Sequence, residues 1–274
     1  MLVFTYVRSA VPISNEKSVD TSIQRLCLLD SEQIVPLFEE LSTVSAPTTV
    51  GFLNQHAYNL AQKHPCFRSS LLEMRYLLRD GIGLKLACRI NRCDPKSNLN
   101  GTDLIPRLIA HLSDDAGRNC QFFSIGTQDP WLTVGSQRLY GDQPFQAVHG
   151  FLDDEEYLQF VKRHHKPGTL AVLVLALGMP RQEHLAAYLS RRLDIPCLII
   201  CGGAIIDLSA QRFPRTPKLL RQCGLEWAFR LFLEPRRLFA RYVFGIPLFF
   251  FYVLRNRFHW AMAKDQAWTN DGSD

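Results

Sequence analysis

Three short polar stretches carry residue types that could do chemistry. Asp80-Gly81-Ile82-Gly83 sets a carboxylate beside two glycines. Taken alone, an Asp in this setting is more often a turn former. Gly178-Met179-Pro180-Arg181-Gln182-Glu183 follows one apolar run, and Gly202-Gly203 follows another. Turns of this kind ahead of a helix offer backbone N–H groups to phosphate. Taken alone, Gln182 and Glu183 read as solvated first-turn residues of a helix, with Pro180 at the helix start. His56 and His149 stand alone and read as structural. Other chemistries lack their patterns. No two aspartates lie two positions apart to hold a nucleotide-bound metal, and there is no P-loop. Position 86 is Leu, so Gly81 and Gly83 lack the third glycine of a dinucleotide fingerprint. No G-x-S-x-G elbow is present.

The elements that must position these residues follow an α/β order. Leu170–Leu177 and Cys197–Cys201 are continuous apolar runs separated by a helix-length segment reaching about Arg192. Runs without alternation belong to strands buried on both faces, the mark of a parallel β-α-β unit. Ligands in such sheets sit beyond the carboxyl ends of the strands. Upstream, 48–53 and 121–125 read as strands, the latter ending at Gly126-Thr127, and 146–148 as a short third. Helices are expected over 57–63, 131–140 and 153–163, and from a cap at Thr102 or Asp103 to about Leu112. Residues 68–79 are mixed, and 80–84 read as a glycine-punctuated acidic turn. The expected fold is a Rossmann-like parallel sheet flanked by helices. Its domains are an N-terminal extension (1–45), a catalytic domain (46–210) and a basic helical C-terminal appendage (211–274).

The chain has 274 residues, 47% of them hydrophobic and 21% charged, as in an ordinary globular protein. Its net charge of +5 is uneven: the stretch from Arg212 to Arg257 carries ten Lys/Arg against Glu226 and Glu234. A basic, aromatic-rich end suggests an anionic partner: phosphate, nucleic acid or a membrane surface. Prolines and glycines at 214, 217, 224, 235, 245 and 247 break its helical pattern. Tyr242–Leu254 is a 13-residue apolar run flanked by arginines, shorter than the roughly 20 residues of a spanning helix. It reads as an interfacial segment, or as a packing helix with a solvated basic face. Nucleic acid is the weaker expectation, because the aromatics are contiguous rather than interleaved as stacking platforms. The eight cysteines form no C-x-x-C pair and MLVFTYVRSA lacks a signal-peptide pattern, so free thiols in the cytoplasm are expected.

In order along the chain, the motifs resemble the WecG/TagA/CpsF glycosyltransferases. ALGMPRQE (176–183) resembles their A-x-G-x-P-K-Q-E signature, and GGAIID (202–207) resembles their G-V-G-A-x-F-D turn. Arg215-Thr-Pro, Gly224-Leu-Glu-Trp, Arg230-Leu and Glu234-Pro-Arg-Arg-Leu resemble their tail; Asp80-Gly-Ile-Gly and Gly101-Thr-Asp-Leu fit upstream motifs. The resemblance, over roughly 48–257, implies inverting, metal-independent transfer of a hexose-type sugar from a UDP-sugar to a polyprenyl-diphosphate-linked saccharide. The setting would be exopolysaccharide or cell-surface polysaccharide synthesis, peripheral on the inner face of the cell membrane. It implies no cofactor and is compatible with a homo-oligomer. It gives Asp80 the role of catalytic base. It implies donor or acceptor binding at Asn54, Gly81, Gly83, Thr102, Asp103, Gly126, Gly178, Pro180, Arg181, Gln182, Glu183, Gly203 and Asp207. Arg230, Arg236, Arg237 and Arg241 would meet membrane phosphates or the diphosphate. Phe52 and Asn98 stand where the family commonly has Thr and Arg, which implies either a different donor or acceptor sugar, the preferred reading, or weak activity. The alternative is a non-catalytic nucleotide-sugar-binding or scaffold protein of a polysaccharide assembly complex.

Overall fold

A computed structural model describes residues 20–114 and 119–270; 1–19 of the expected extension and 271–274 of the appendage lie outside them. Six parallel strands form one sheet in the order β2-β1-β6-β5-β3-β4. They are β1 (Thr48–Leu53), β2 (Tyr76–Arg79), β3 (Cys120–Gly126), β4 (Phe145–Val148), β5 (Leu170–Ala176) and β6 (Cys197–Cys201). The Rossmann-like α/β expectation therefore holds. The apolar runs are continuous because alternate residues feed two cores. Val172 and Val174 face one side with Phe122, Leu198 and Ile200. Leu173 and Leu175 face the other with Phe123, Ile125 and Ile199.

Residues 20–42 pack onto this frame rather than hanging free. Leu37, Phe38 and Leu41 of α2 (Ile34–Ser42) join the first core, and Ile23 of α1 (Thr21–Gln24) joins a third cluster. Cys27 N–H donates to Leu77 O at 2.8 Å, extending the sheet past β2. Helix α3 (Gln55–Lys63) begins two residues earlier than expected, capped by the Asn54 side chain. The mixed stretch resolves into α4 (Pro65–Leu72) and edge strand β2.

Two local expectations are corrected here. Residues 80–84 are not a turn: α5 (Gly81–Ile90) starts directly after Asp80. Neither Thr102 nor Asp103 caps α6 (Gly101–Asp114); Asn100 does, its Oδ1 accepting from Asp103 N at 2.9 Å. The remaining helices of the α/β frame are α7 (Trp131–Tyr140), α8 (Asp154–His164), α9 (Arg181–Ser190) and α10 (Ile205–Ser209).

The chain leaves β3 toward β4 and leaves β5 toward β6, in opposite directions across the sheet. The crevice beyond the carboxyl ends of β3 and β5 is thus the topological switch point. Gly126 lets the strands close there. Its φ is +140°, and a Cβ on it would stand 2.3 Å from Ala176 O.

The C-terminal part comprises α11 (Lys218–Gln222), α12 (Glu226–Leu233), α13 (Pro235–Phe239), a π turn (Ala240–Phe244) and α14 (Gly245–Asn270). The expected break at Gly245–Pro247 does not occur. Pro247 falls in the first turn of α14, where a missing N–H costs no helical bond. As a result Pro235–Phe258 is one stretch, long and apolar enough by length and composition to cross a membrane, with mean hydropathy 1.5. That corrects the estimate from the 13-residue run alone. Yet one face of it is committed to the protein. Phe249 and Val253 are fully buried in the third cluster, against Tyr58 and Leu84. Asn256 Nδ2 donates to Asp20 Oδ2 at 3.1 Å and to Tyr58 OH at 3.0 Å. Pro247, Phe251, Leu254 and Phe258 lie on the opposite, exposed face.

Candidate active site

Asp80 sits where β2 ends and α5 begins, at the edge of a cavity of about 340 Å³. The sheet side supplies Asn54, Gln55, His56, Gly81, Gly83, Asn98 and Thr102 to its wall. The C-terminal helices supply the facing wall, including Arg221, Glu226, Trp227, Arg230, Arg241 and Tyr242. The C-terminal helices thus form about half of the cavity wall. The π turn is what aims Arg241 and Tyr242 inward, and α3 fastens it. Asn59 Nδ2 donates to Gly245 O at 2.7 Å and Gln55 Nε2 to Arg241 O at 3.4 Å, satisfying carbonyls at a helix irregularity.

Burial raises the Asp80 pKa above the ordinary carboxylate range. The Asn54 amide, donating to Oδ2 at 3.3 Å, opposes the rise. Glu226 adds to it, and Arg230 and Arg241 oppose it. A carboxylate with a raised pKa is a stronger base once ionised. His56 is pushed down to about 4 by burial and by Arg241, so its imidazole is neutral near pH 7. Arg230 is held by Glu226 at 2.5 Å. The cavity therefore brings together the Asp80 carboxylate, three arginines (Arg221, Arg230 and Arg241) and an aromatic wall in which Trp227 lies 5.9 Å from Tyr242, centroid to centroid.

The other expected residues form a second locus at the carboxyl ends of β3, β5 and β6. Gly126, Gly178 and Gly203 all have positive φ. Thr127 Oγ1 donates to Asp207 Oδ1 at 2.8 Å, and Arg212 Nη1 donates to the same oxygen at 3.1 Å. Pro180 precedes the first helical residue of α9, and Arg181 bonds Leu152 O. Gln182 and Glu183 are not solvated first-turn residues: they are 1% and 0% exposed. Gln182 bridges inside the fold, accepting from Gly203 N at 2.9 Å and donating to Glu183 Oε1 at 2.8 Å. Three strand spacings separate β2 from β5, roughly 14 Å, so the two loci are different ends of one rim.

Asp103 lines neither locus. Its carboxylate binds Arg215 and Arg221, tying α6 to the C-terminal segment, with Arg221 Nη1 at 2.9 Å. Arg236 and Arg237 are exposed outside the cavity, the latter paired with Glu234 at 2.6 Å. The two departures from the family pattern also part company. Phe52 is 4% exposed in the core beside Gly101, whereas Asn98 lines the cavity. Gln55, Asn100, Tyr242 and Phe249 were not expected in the wall. Only the fold brings Gln55 and Arg241, 186 positions apart, together.

Burial pushes the Glu183 carboxyl up to about 7, and its Oε2 has no hydrogen-bond partner among the described residues. Between about 4.5 and 7 the folded chain then holds a proton that the unfolded chain releases, so stability falls as pH rises through that window. Chemical denaturation at pH 5 and pH 8 should show the loss, and Glu183→Gln should flatten it. An unchanged slope in the variant would remove Glu183 as its source.

A doubly wound parallel sheet with a switch-point crevice and a carboxylate cavity at its edge defines an α/β enzyme of Rossmann-like architecture. Residues 21–262 match the model of the WecG/TagA/CpsF glycosyl transferase family, and the chain belongs to that family. It is a glycosyltransferase. Relatives from Staphylococcus aureus strains NCTC 8325 / PS 47, COL and MSSA476 are each 21% identical over 238 residues, covering 82% of this chain and 89% of their own. Each is described as an N-acetylglucosaminyldiphosphoundecaprenol N-acetyl-beta-D-mannosaminyltransferase.

Proposed function

We propose that this glycosyltransferase moves a hexose-type sugar from a UDP-sugar to a polyprenyl-diphosphate-linked saccharide, with inversion, at the membrane surface. The observation that carries the reading is the Asp80 cavity, with its base on the sheet side and Arg230 and Arg241 on the wall that also forms the exposed apolar face. In this reading UDP lies along the glycine turns at the ends of β3, β5 and β6, and the sugar reaches toward Asp80. Asp80 takes the proton of the acceptor hydroxyl as its oxygen attacks the anomeric carbon, and the bond to the UDP oxygen breaks. The leaving diphosphate gains negative charge, and arginines and backbone N–H groups offset it. Gln182 and Glu183 support the donor site from beneath by holding the Gly203 turn. The relatives' acceptor, a diphosphoundecaprenol carrying N-acetylglucosamine, suggests the acceptor class here.

The membrane part rests on the C-terminal face. Phe232, Phe239, Phe244, Phe251 and Phe258 are all more than half exposed, beside the exposed Arg236 and Arg237. With Phe249 and Val253 committed to the protein, α14 lies against the domain and offers its other face to the lipid interface. A panel of radiolabelled UDP-N-acetylmannosamine, UDP-N-acetylglucosamine, UDP-glucose and UDP-galactose tests this. Presented with undecaprenyl-diphosphate-linked N-acetylglucosamine in vesicles, one donor should label the lipid, with EDTA present or absent. Binding of UDP without transfer from any donor would support the scaffold alternative.

A further inference from the structure

Gly81, the residue that follows Asp80, is held at both of its peptide groups. Gly81 adopts φ +88°, in the left-handed region. Its N–H donates to Asn98 Oδ1 at 2.8 Å, and its carbonyl accepts from Arg79 Nη1 at 3.0 Å. Arg79 is itself 3% exposed, and it ties down the segment that delivers Asn98. Its Nε donates to Pro95 O at 2.7 Å and its Nη2 to Lys96 O at 3.2 Å. The side-chain atom facing the Gly81 N–H must be the amide oxygen of Asn98, because an NH₂ group cannot accept.

An Asp directly before a helix usually turns its carboxylate onto first-turn N–H groups. Asp80 makes no such bond and meets the Asn54 amide instead. Asp80 itself has the extended backbone of an N-cap, φ −122° and ψ 119°, so the departure lies at the left-handed Gly81 that follows it. Among the described residues a Cβ on Gly81 would meet nothing within 4 Å, and two hydrogen bonds hold the residue in this conformation.

We propose that Asn98 is a positioning residue for Asp80: by accepting the Gly81 N–H it keeps the carboxylate turned into the cavity and off the helix. Its importance for transfer rests on Asp80 being the base; its effect on the Asp80 carboxyl does not. The charged groups facing Asp80 are Glu226, Arg230 and Arg241 from the C-terminal wall and Arg79 from its own strand. His56 is neutral, and Asn98 does not titrate.

Two variants separate positioning from packing. Asn98→Ala frees the Gly81 peptide to relax, so Asp80 can take helix N–H groups that favour its anion. Asn98→Asp keeps an acceptor in place and adds a negative charge. The readout is the pH titration of the Asp80 side-chain carboxyl carbon by NMR, assigned with Asp80→Asn. It should move down by about one pH unit in Asn98→Ala, a tenfold change in proton affinity, and up in Asn98→Asp. In transfer assays kcat should fall at least about tenfold in the alanine variant, the scale of a misplaced base, and survive within a few-fold in the aspartate variant. An Asp80 titration unchanged by alanine, or moved alike by both variants at unchanged fold, overturns the proposal. Absence of transfer in the wild type would instead count against the proposed reaction, and the titration would still decide the role of Asn98.

Discussion

Replacing Phe244, Phe251 and Phe258 together by Ser is expected to release the protein from anionic lipid vesicles. The three are spaced seven apart, a near-whole number of helical turns. They are 66%, 58% and 64% exposed, so little of their packing on the domain is lost. Moving three Phe side chains most of the way out of water contributes on the order of 5 kcal/mol, or more than a thousandfold in partitioning. Exposed arginines near the surface add about 1 kcal/mol each on anionic lipid. Sedimentation with vesicles should therefore shift from the lipid fraction to the supernatant. Thermal unfolding should stay near that of the wild type, because Phe249 and Val253 remain in the core. Undiminished sedimentation would show that this face is not the contact. Deleting the whole appendage would be a poorer test, since it also removes Arg230, Arg241 and Tyr242 from the cavity wall.

The second large effect is expected at Asp80. Asp80→Asn keeps the size and the contact with Asn54 but cannot accept the acceptor's proton, so transfer should drop by about 10²- to 10⁴-fold. Folding should not suffer. The Asp80 pKa is raised on folding, so the ionised carboxylate opposes folding above the ordinary range near 3.9. A neutral amide removes that penalty, and the variant should melt at the same temperature or higher near pH 7. Loss of activity with gain of stability is the usual mark of a residue kept for chemistry.

How far the chain reveals itself differs between elements for physical reasons. Strands β5 and β6 and helix α7 were legible because burial on two faces, or on one helical face, writes a pattern along the chain. Strand β2 was not. Its four residues lie in a leucine-rich stretch and end in Arg79, whose burial makes sense only once it bonds Pro95, Lys96 and Gly81. Gln182 and Glu183 are polar and read as solvated. They are buried because Gln182 accepts the Gly203 N–H. Asp80, Asn54, Arg230 and Arg241 stand out through the order of motifs, yet nothing local in the sequence sets them in one cavity. That meeting depends on α14 continuing through Pro247 and docking on α3.

Transfer by the wild-type and Asp80→Asn proteins, compared side by side, bears most directly on the central claim. Both would be given the donor that labels lipid in the UDP-sugar panel and the same vesicle-borne acceptor, with UDP affinity measured by calorimetry. The wild type should transfer label, the variant should lose at least about 100-fold, and the two should bind UDP equally. A variant that transfers sugar within two- or three-fold of the wild type would contradict the claim.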